Sequence, residues 1–260
     1  MRTYKYINHE NNILNIDAIY IITIEDSPRI NNVYKQIKNY NLSKNNYIQI
    51  NKKYTDHDYK ICKNKSYFHL IDNYVDICKH SIIKNYNNIL IFEDDFILDP
   101  KILNINILKN INKFINTVDF NLYYLGCLPI FIRPFDKYNY KTYLSLASHS
   151  IIYSKQARLK IINKYQENKC LNTYLKHYDY WISTFLDKKY MYHKPLCYQK
   201  LNNTENRKEW DNIITNIIIT YYELDHVPEK GFNDIYKVIK YIHLSLLIIL
   251  LNIILYIIYI

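Results

Sequence analysis

An α/β fold with a mostly parallel central sheet is what this sequence predicts, and three observations predict it. From Ala18 to Gly126, β-branched apolar runs alternate with amphipathic stretches, the pattern of strands joined by crossover helices. One of those runs, Ile89-Leu90-Ile91-Phe92, stops at three consecutive acids, Glu93-Asp94-Asp95. The chain also holds only two glycines, Gly126 and Gly231. P-loops, dinucleotide fingerprints and kinase loops need several glycines to bring backbone against phosphate, so those nucleotide-binding classes are excluded.

Taken in order, residues 1–15 are polar and lack the apolar centre of a signal peptide. Residues 18–24 read as a buried first strand, ended by Glu25-Asp26-Ser27-Pro28-Arg29. Pro28 suits the opening turn of a helix reaching about Asn39. Residues 47–50 form a short second strand, and 51–65 an irregular charged loop. From Ser66 to Lys84, Leu70, Ile71, Tyr74, Val75, Cys78 and Ile82 recur at helical spacing. After the acidic strand, Pro100 opens an amphipathic helix to about Asn116, and Leu122–Leu125 is a strand ending at Gly126. Residues 128–140 read as a loop holding two prolines and Arg133. A strand over 143–153 follows, then a helix capped by Ser154, a helix opening around His177–Trp181, and a short strand and turn over 191–199. Residues 211–222 fit helix or strand.

Composition narrows the class. Among 260 residues, 30 are tyrosine and Ile, Asn and Lys are also abundant. These types share AT-rich codons, so the bias is read first as genomic drift. The formal charge of +10 is carried by scattered lysines, with no basic stripe suited to a nucleic-acid groove, so no nucleic-acid partner is expected. Five cysteines at irregular spacing, with no C-x-x-C, argue for free thiols, not a zinc site or a disulfide framework.

Beyond Pro228 and Gly231 the chain turns apolar, and from Ile242 to Ile260 no charged residue occurs. That length just meets the requirement of roughly 20 residues for a spanning helix. Lys237 and Lys240 precede the stretch, so the positive-inside rule puts the preceding residues in the cytosol. The expected organisation is a domain over 1–232 and a juxtamembrane segment with a transmembrane tail over 233–260, tail-anchored, the domain facing the cytosol. A buried C-terminal helix is the competing reading.

Adjacent carboxylates repel one another unless a cation sits among them, and a divalent ion with a preference for oxygen is the usual one. Ligands of open α/β sheets bind beyond the carboxyl ends of the strands, where the acids and Arg29 fall. Residues two apart on an extended segment share a side, so Glu93 and Asp95 are expected to point together. A strand that merely ends in a polar turn is the plain alternative.

Several short motifs, in this order, resemble glycosyltransferase family 25, the lipooligosaccharide and procollagen galactosyltransferase type, in a diverged form similar to those of large DNA viruses. They are I-I-T-I-E-D-S-P-R (21–29), I-L-I-F-E-D-D-F (89–96), Y-L-G (124–126), A-S-H-S-I-I-Y-S-K-Q-A (147–157), and H-Y-D-Y-W (177–181) followed by P-L-C-Y-Q (195–199). Thr23 departs from the family's usual Asn, and the family's Ser-His before the acidic strand has no clear counterpart. The resemblance implies a GT-A-like, Rossmann-type fold binding a nucleotide-sugar donor, a UDP-sugar in the first instance, with a divalent metal, Mn²⁺ or Mg²⁺. The acceptor would be a hydroxyl on a glycan, lipid or protein. By the same resemblance Glu93 and Asp95 are expected to hold the metal, and Arg29, Asp94, His149 and Gln199 to contact the donor. Asp179 is expected to serve as catalytic base, with Asn206 and Arg207 lining the site. Two other classes stay open: a metal-dependent nuclease or phosphotransferase that also enlists Asp99 and Asp179, and a tail-anchored protein without enzymatic activity that binds membranes or partners.

Overall fold

The computed structural model describes residues 2–52, 66–167, 177–201 and 213–259. Asn206 and Arg207, Cys62 and Cys170, and the loop expected through residue 65 lie outside them, apart from residues 51 and 52.

The described chain runs β1 (Thr3–Asn8), β2 (Ala18–Ile24), α1 (Ile30–Tyr40), β3 (Asn45–Asn51), α2 (Ser66–Ile83), β4 (Asn88–Glu93) and β5 (Phe96–Leu98). A 3₁₀ turn at Pro100–Leu103 leads to α3 (Ile105–Thr117), and then to β6 (Leu122–Pro134), β7 (Asn139–Ser154) and α4 (Lys155–Glu167). The rest comprises α5 (Tyr178–Phe185), β8 (Lys189–Tyr192), β9 (Cys197–Gln199), α6 (Ile213–Tyr221) and α7 (Pro228–Tyr259).

Seven strands form one sheet in the order β1-β3-β2-β4-β7-β6-β8, and β5 pairs with β9 in a small second sheet. The sheet is mixed, which corrects the expected mostly parallel one. β3–β2, β2–β4 and β6–β8 are parallel, whereas β1–β3, β4–β7 and β7–β6 are antiparallel. The parallel part covers the strand–helix alternation that the sequence displays. The antiparallel part comes from β1, where tyrosines alternate with polar residues on an edge strand, and from the long β6–β7 hairpin. Residues 128–140 are therefore mostly strand, not loop. Pro129 and Pro134 are tolerated because the β6–β7 ladder shifts register repeatedly between Tyr124 and Ile132, the irregular setting where strand prolines occur.

Alternation along the central strands feeds two cores. Tyr20, Ile22, Ile89 and Ile91 pack with α2, α4 and α5 on one face. Ile19, Ile21, Leu90 and Phe92 pack with α1 and α3 on the other. Burial on both faces explains why these strands read as continuous apolar runs. The described thiols, Cys78, Cys127 and Cys197, are free and buried.

Both glycines mark places where a side chain has no room. A Cβ at Gly126 would lie 1.9 Å from the Cys197 carbonyl oxygen, and one at Gly231 would lie 2.2 Å from that of Tyr222. In a composition this poor in glycine, the two that occur sit at close backbone approaches.

Helix α7 crosses the boundary expected at 232/233 without interruption. Its first turns belong to the domain: Phe232, Ile235 and Tyr236 are buried, and the Tyr236 hydroxyl meets Cys127 Sγ at 3.5 Å. Beyond them the helix emerges, with Tyr241, Leu244, Leu247 and Leu251 each more than half exposed. Pro228–Ile257 is long and apolar enough to cross a membrane, and its most apolar window has a mean hydropathy of 2.3 and is 0% buried. A core helix of a soluble domain would be covered there.

Candidate functional site

Strand β4 delivers its acids at the carboxyl end of the sheet. Phe92 and Phe96 stack at 4.2 Å across the turn that carries Asp94 and Asp95. Gln36 of α1 holds the far side of that turn, donating to the Phe96 carbonyl at 2.7 Å and accepting from the Leu98 amide at 2.7 Å. The Asp95 carbonyl accepts from the Lys200 amide at 2.9 Å. Apolar packing and a buried amide thus fix a turn that mutual repulsion of its charges would otherwise loosen.

The three acids have different surroundings. Asp94 faces the β2–α1 loop, where its Oδ2 accepts from the Thr23 and Ser27 hydroxyls at 2.8 and 2.7 Å. Its Oδ1 accepts from Arg29 Nη1 at 3.0 Å. Both oxygens are thus engaged within the protein. These bonds form a clamp that ties the first loop to the acidic turn. Arg29 is the cation brought to this turn, and Thr23, which stands where the resembled family has Asn, takes part in the clamp.

Asp95 is buried and accepts from Gln199 Nε2 at 3.1 Å through Oδ2. Its Oδ1 is buried with no hydrogen-bond partner among the described residues. An unsatisfied carboxylate oxygen is costly. Burial, and then the Asp94 charge, raise the Asp95 pKa above the usual carboxylate range.

Glu93 faces α2 and β7, within range of the Asp95 charge. Its Oε1 accepts from the Tyr74 hydroxyl at 2.9 Å and from Ser148 Oγ at 3.3 Å. Tyr74 is wholly buried on α2 and stacks on Tyr178 at 3.9 Å. Burial raises the Glu93 pKa, and the Asp95 and Asp179 charges add to the effect.

Asp179, in the first turn of α5, faces β7. Its Oδ2 accepts the Ala147 amide at 2.9 Å. Burial pushes its pKa up to about 6, against opposing hydrogen bonds from Ser148 and from the Ala147 and Ser148 amides. Ala147 has φ 63°, the left-handed region that a residue with a Cβ seldom adopts. Ser148, the next residue of β7, donates to Glu93 at 3.3 Å.

Glu93, Asp95, Asp179, Gln199, Asp94 and Arg29 are thus brought to one end of the sheet, in two linked groups. His149 is not brought with them. It is 0% exposed, its Nε2 lies 3.3 Å from the Cys197 carbonyl, and its ring meets Phe232 edge-on. Burial pushes its pKa down to about 4. It is a neutral core residue behind Gly126, packed against Phe232 and set apart from the acids of the turn.

Sequence reasoning missed Tyr74, Ser148, Thr23 and Ser27. Tyr74 read only as part of an apolar helix face, though a buried tyrosine hydroxyl needs a partner.

Among the described residues no group of three His, Cys, Asp or Glu side chains is arranged to hold a metal ion. What the described residues do present is oxygen chemistry suited to a hard cation: carboxylates with raised pKa values, one of them with a buried oxygen that has no hydrogen-bond partner.

No family model and no curated protein matches the chain. Two solved structures align with it in outline. One is A197 from STIV, at 11% identity and a TM-score of 0.41, over 67% of this chain and 81% of that one. The other is a glycosyltransferase involved in the glycosylation of the major capsid of PBCV-1, at 12% identity and a TM-score of 0.41, over 74% of this chain and 96% of that one. At that TM-score neither alignment establishes a shared fold.

Proposed function

We propose that the chain is a metal-dependent glycosyltransferase of the family 25 type. It would transfer a sugar from a nucleotide-sugar, a UDP-sugar in the simplest case, to a hydroxyl of a glycan, lipid or protein, with α7 anchoring it in a membrane. One observation carries the reading. Asp95 presents a buried, unpartnered carboxylate oxygen beside Glu93, at the carboxyl end of a central strand, in a chain without a glycine loop to hold phosphate.

Asp95 and Glu93 would hold the cation. A bound divalent cation supplies charge neutralisation for a diphosphate leaving group. The chain's own residues do the rest. Gln199 orients Asp95 by donating to its Oδ2, and Tyr74 and Ser148 orient Glu93. Arg29 and Asp94 hold the first loop against the acidic turn. Asp179 takes the acceptor hydroxyl's proton. Its pKa of about 6 brings it nearer to neutral operation than an ordinary aspartate, as general-base catalysis favours.

The nuclease or phosphotransferase reading needs further free carboxylates for a two-metal site. Asp99 does not offer one: it is buried, accepts from the Tyr198 hydroxyl and the Lys101 amide, and pairs with Lys101 Nζ at 3.2 Å. A purely membrane- or partner-binding role would leave function intact in the Glu93→Ala, Asp95→Ala double variant.

The test is a panel of UDP- and GDP-sugars incubated with the full chain in detergent, with and without Mn²⁺. Mn²⁺-dependent release of the nucleotide from one donor supports the reading. A panel in which no donor binds or turns over, with cleavage of DNA instead, replaces it with the nuclease.

A further inference from the structure

The β6–β7 hairpin ends beside the point where α7 leaves the domain. His243 of α7 accepts the Ile132 amide through Nε2 at 3.2 Å, and its Nδ1 lies 2.7 Å from the Ile239 carbonyl of its own helix. The neutral tautomer protonated on Nδ1 satisfies both contacts. The Phe131 ring meets His243 edge-on at 6.5 Å. Lys240, one turn earlier, donates to the His193 carbonyl and lies 5.3 Å above the Tyr140 ring. It is the last charged residue before the exposed apolar part of α7. If α7 enters a bilayer, the hydrocarbon therefore begins at about residues 241–244, and the hairpin tied to His243 is held at headgroup depth.

The exposed residues of the hairpin suit that depth. Phe131 (57% exposed) and exposed Arg133 alternate with buried Ile132, and Tyr143 (49% exposed) and half-buried Lys141 flank buried Thr142. Arg133 lies directly opposite Lys141 in the ladder. Like charges in that position destabilise a strand pair, and no ion pair to an acid is made by either among the described residues. The nearby acid, Asp136, is occupied by the Tyr138 and Asn139 amides within the turn. Two cations without an acidic partner among the described residues, one of them, Lys141, 5.6 Å from the Tyr143 ring, and two exposed aromatic rings match an anionic lipid interface, where basic residues meet headgroup phosphates and aromatic rings take the boundary layer.

We propose that Phe131, Arg133, Lys141 and Tyr143 form a second membrane contact that binds anionic phospholipid headgroups. With α7 it holds the domain in one orientation on the bilayer. This rests on the reading of α7 as a membrane anchor.

The full chain is reconstituted into phosphatidylcholine vesicles with and without phosphatidylserine, with brominated lipid as a contact quencher. Tryptophan emission is compared for the unmodified chain, Phe131→Trp, and Phe131→Trp carrying Arg133→Glu and Lys141→Glu. Resistance to alkaline carbonate extraction reports insertion of α7. The expected result is that all forms resist extraction and that Phe131→Trp adds a quenched component. That component is strengthened by phosphatidylserine, and the docked-to-lifted ratio falls about fivefold for each basic residue removed. Resistance to extraction with no quenching at position 131, or with quenching indifferent to the charge reversals, overturns the hairpin contact and leaves the anchor standing. Release of the unmodified chain by carbonate overturns the anchor and the hairpin contact together. Because all three chains are read for insertion, a misfolded variant is recognised by loss of the emission and extraction behaviour they share. Arg133→Gln with Lys141→Gln then repeats the comparison without added negative charge.

Discussion

Asp179 Oδ2 accepts the backbone amide of Ala147 at 2.9 Å, and Ala147 is held at φ 63°. The first residue carries the proposed base and the second a backbone conformation that costs roughly 1–2 kcal/mol for a residue with a Cβ. The contact joins α5 to β7 next to Ser148, which donates to Glu93 at 3.3 Å. Local strain of this kind is held in place by surrounding contacts and concentrates at functional sites.

Asp179→Asn keeps an oxygen able to accept the Ala147 amide but lacks a base. Its thermal midpoint should stay near that of the unmodified chain, while turnover falls by about 10²- to 10⁴-fold. Asp179→Ala should lose both. Calorimetry alongside a donor-release assay separates the two effects, and unchanged turnover in Asp179→Asn would remove the base from the proposal.

Glu93→Gln should have opposite effects on stability and function. Burial and the neighbouring acids disfavour the charge of Glu93, so the neutral amide should raise metal-free stability at about pH 8, where the carboxylate is forced to ionise. The same change should abolish Mn²⁺-dependent turnover. Denaturant unfolding at pH 5 and pH 8 checks the first expectation, with the gain largest at the higher pH.

The unmodified, metal-free chain should itself be less stable at alkaline than at mildly acidic pH. Glu93, Asp95 and Asp179 all have pKa values raised on folding. Their stabilising contribution is complete below the ordinary carboxylate range, near 4. It is lost as pH rises through the folded values, about 6 for Asp179, because the folded state then holds more protons than the unfolded one. Mn²⁺ should recover stability mainly at the upper end of this range. A stability that rises from about pH 5 to pH 8 without metal would contradict the assignment.

Asp94→Ala should weaken the fold more than the site chemistry alone requires. It leaves the Thr23 and Ser27 hydroxyls and the contacting Arg29 nitrogen without their shared acceptor. Hydrogen bonds to a charged group contribute about 1.5–3 kcal/mol, so a loss of that size is expected in equilibrium unfolding. Gly126→Ala should cost at least about 3 kcal/mol, because its Cβ would meet the Cys197 backbone at 1.9 Å, where no side chain can swing away.

The sequence made the central strands, their helices and the acidic turn legible, because buried parallel strands and amphipathic helices leave strong periodic marks. It did not reveal the β6–β7 hairpin, since Gly126, Pro129 and Pro134 are ordinarily loop residues. Only the register shifts of the ladder reconcile them with a strand. It did not reveal β1, whose alternating tyrosines were masked by a composition rich in tyrosine throughout. At the site, the acids were legible as a cluster, but their division of labour was not. Asp94 is occupied by residues 65 to 71 positions earlier in the chain, and His149 is buried by Phe232 and Cys197. Such partners are distant in sequence and no local pattern announces them.

At the centre of the proposed function, Asp95 and Glu93 would hold a divalent cation that favours binding of a nucleotide diphosphate. Electron paramagnetic resonance of Mn²⁺ titrated with the full chain, with and without UDP, tests it directly. The prediction is bound Mn²⁺ that UDP strengthens, lost in Asp95→Asn while that variant unfolds at or above the temperature of the unmodified chain. Equal Mn²⁺ binding by Asp95→Asn, or no UDP-dependent binding by the unmodified chain, would contradict it.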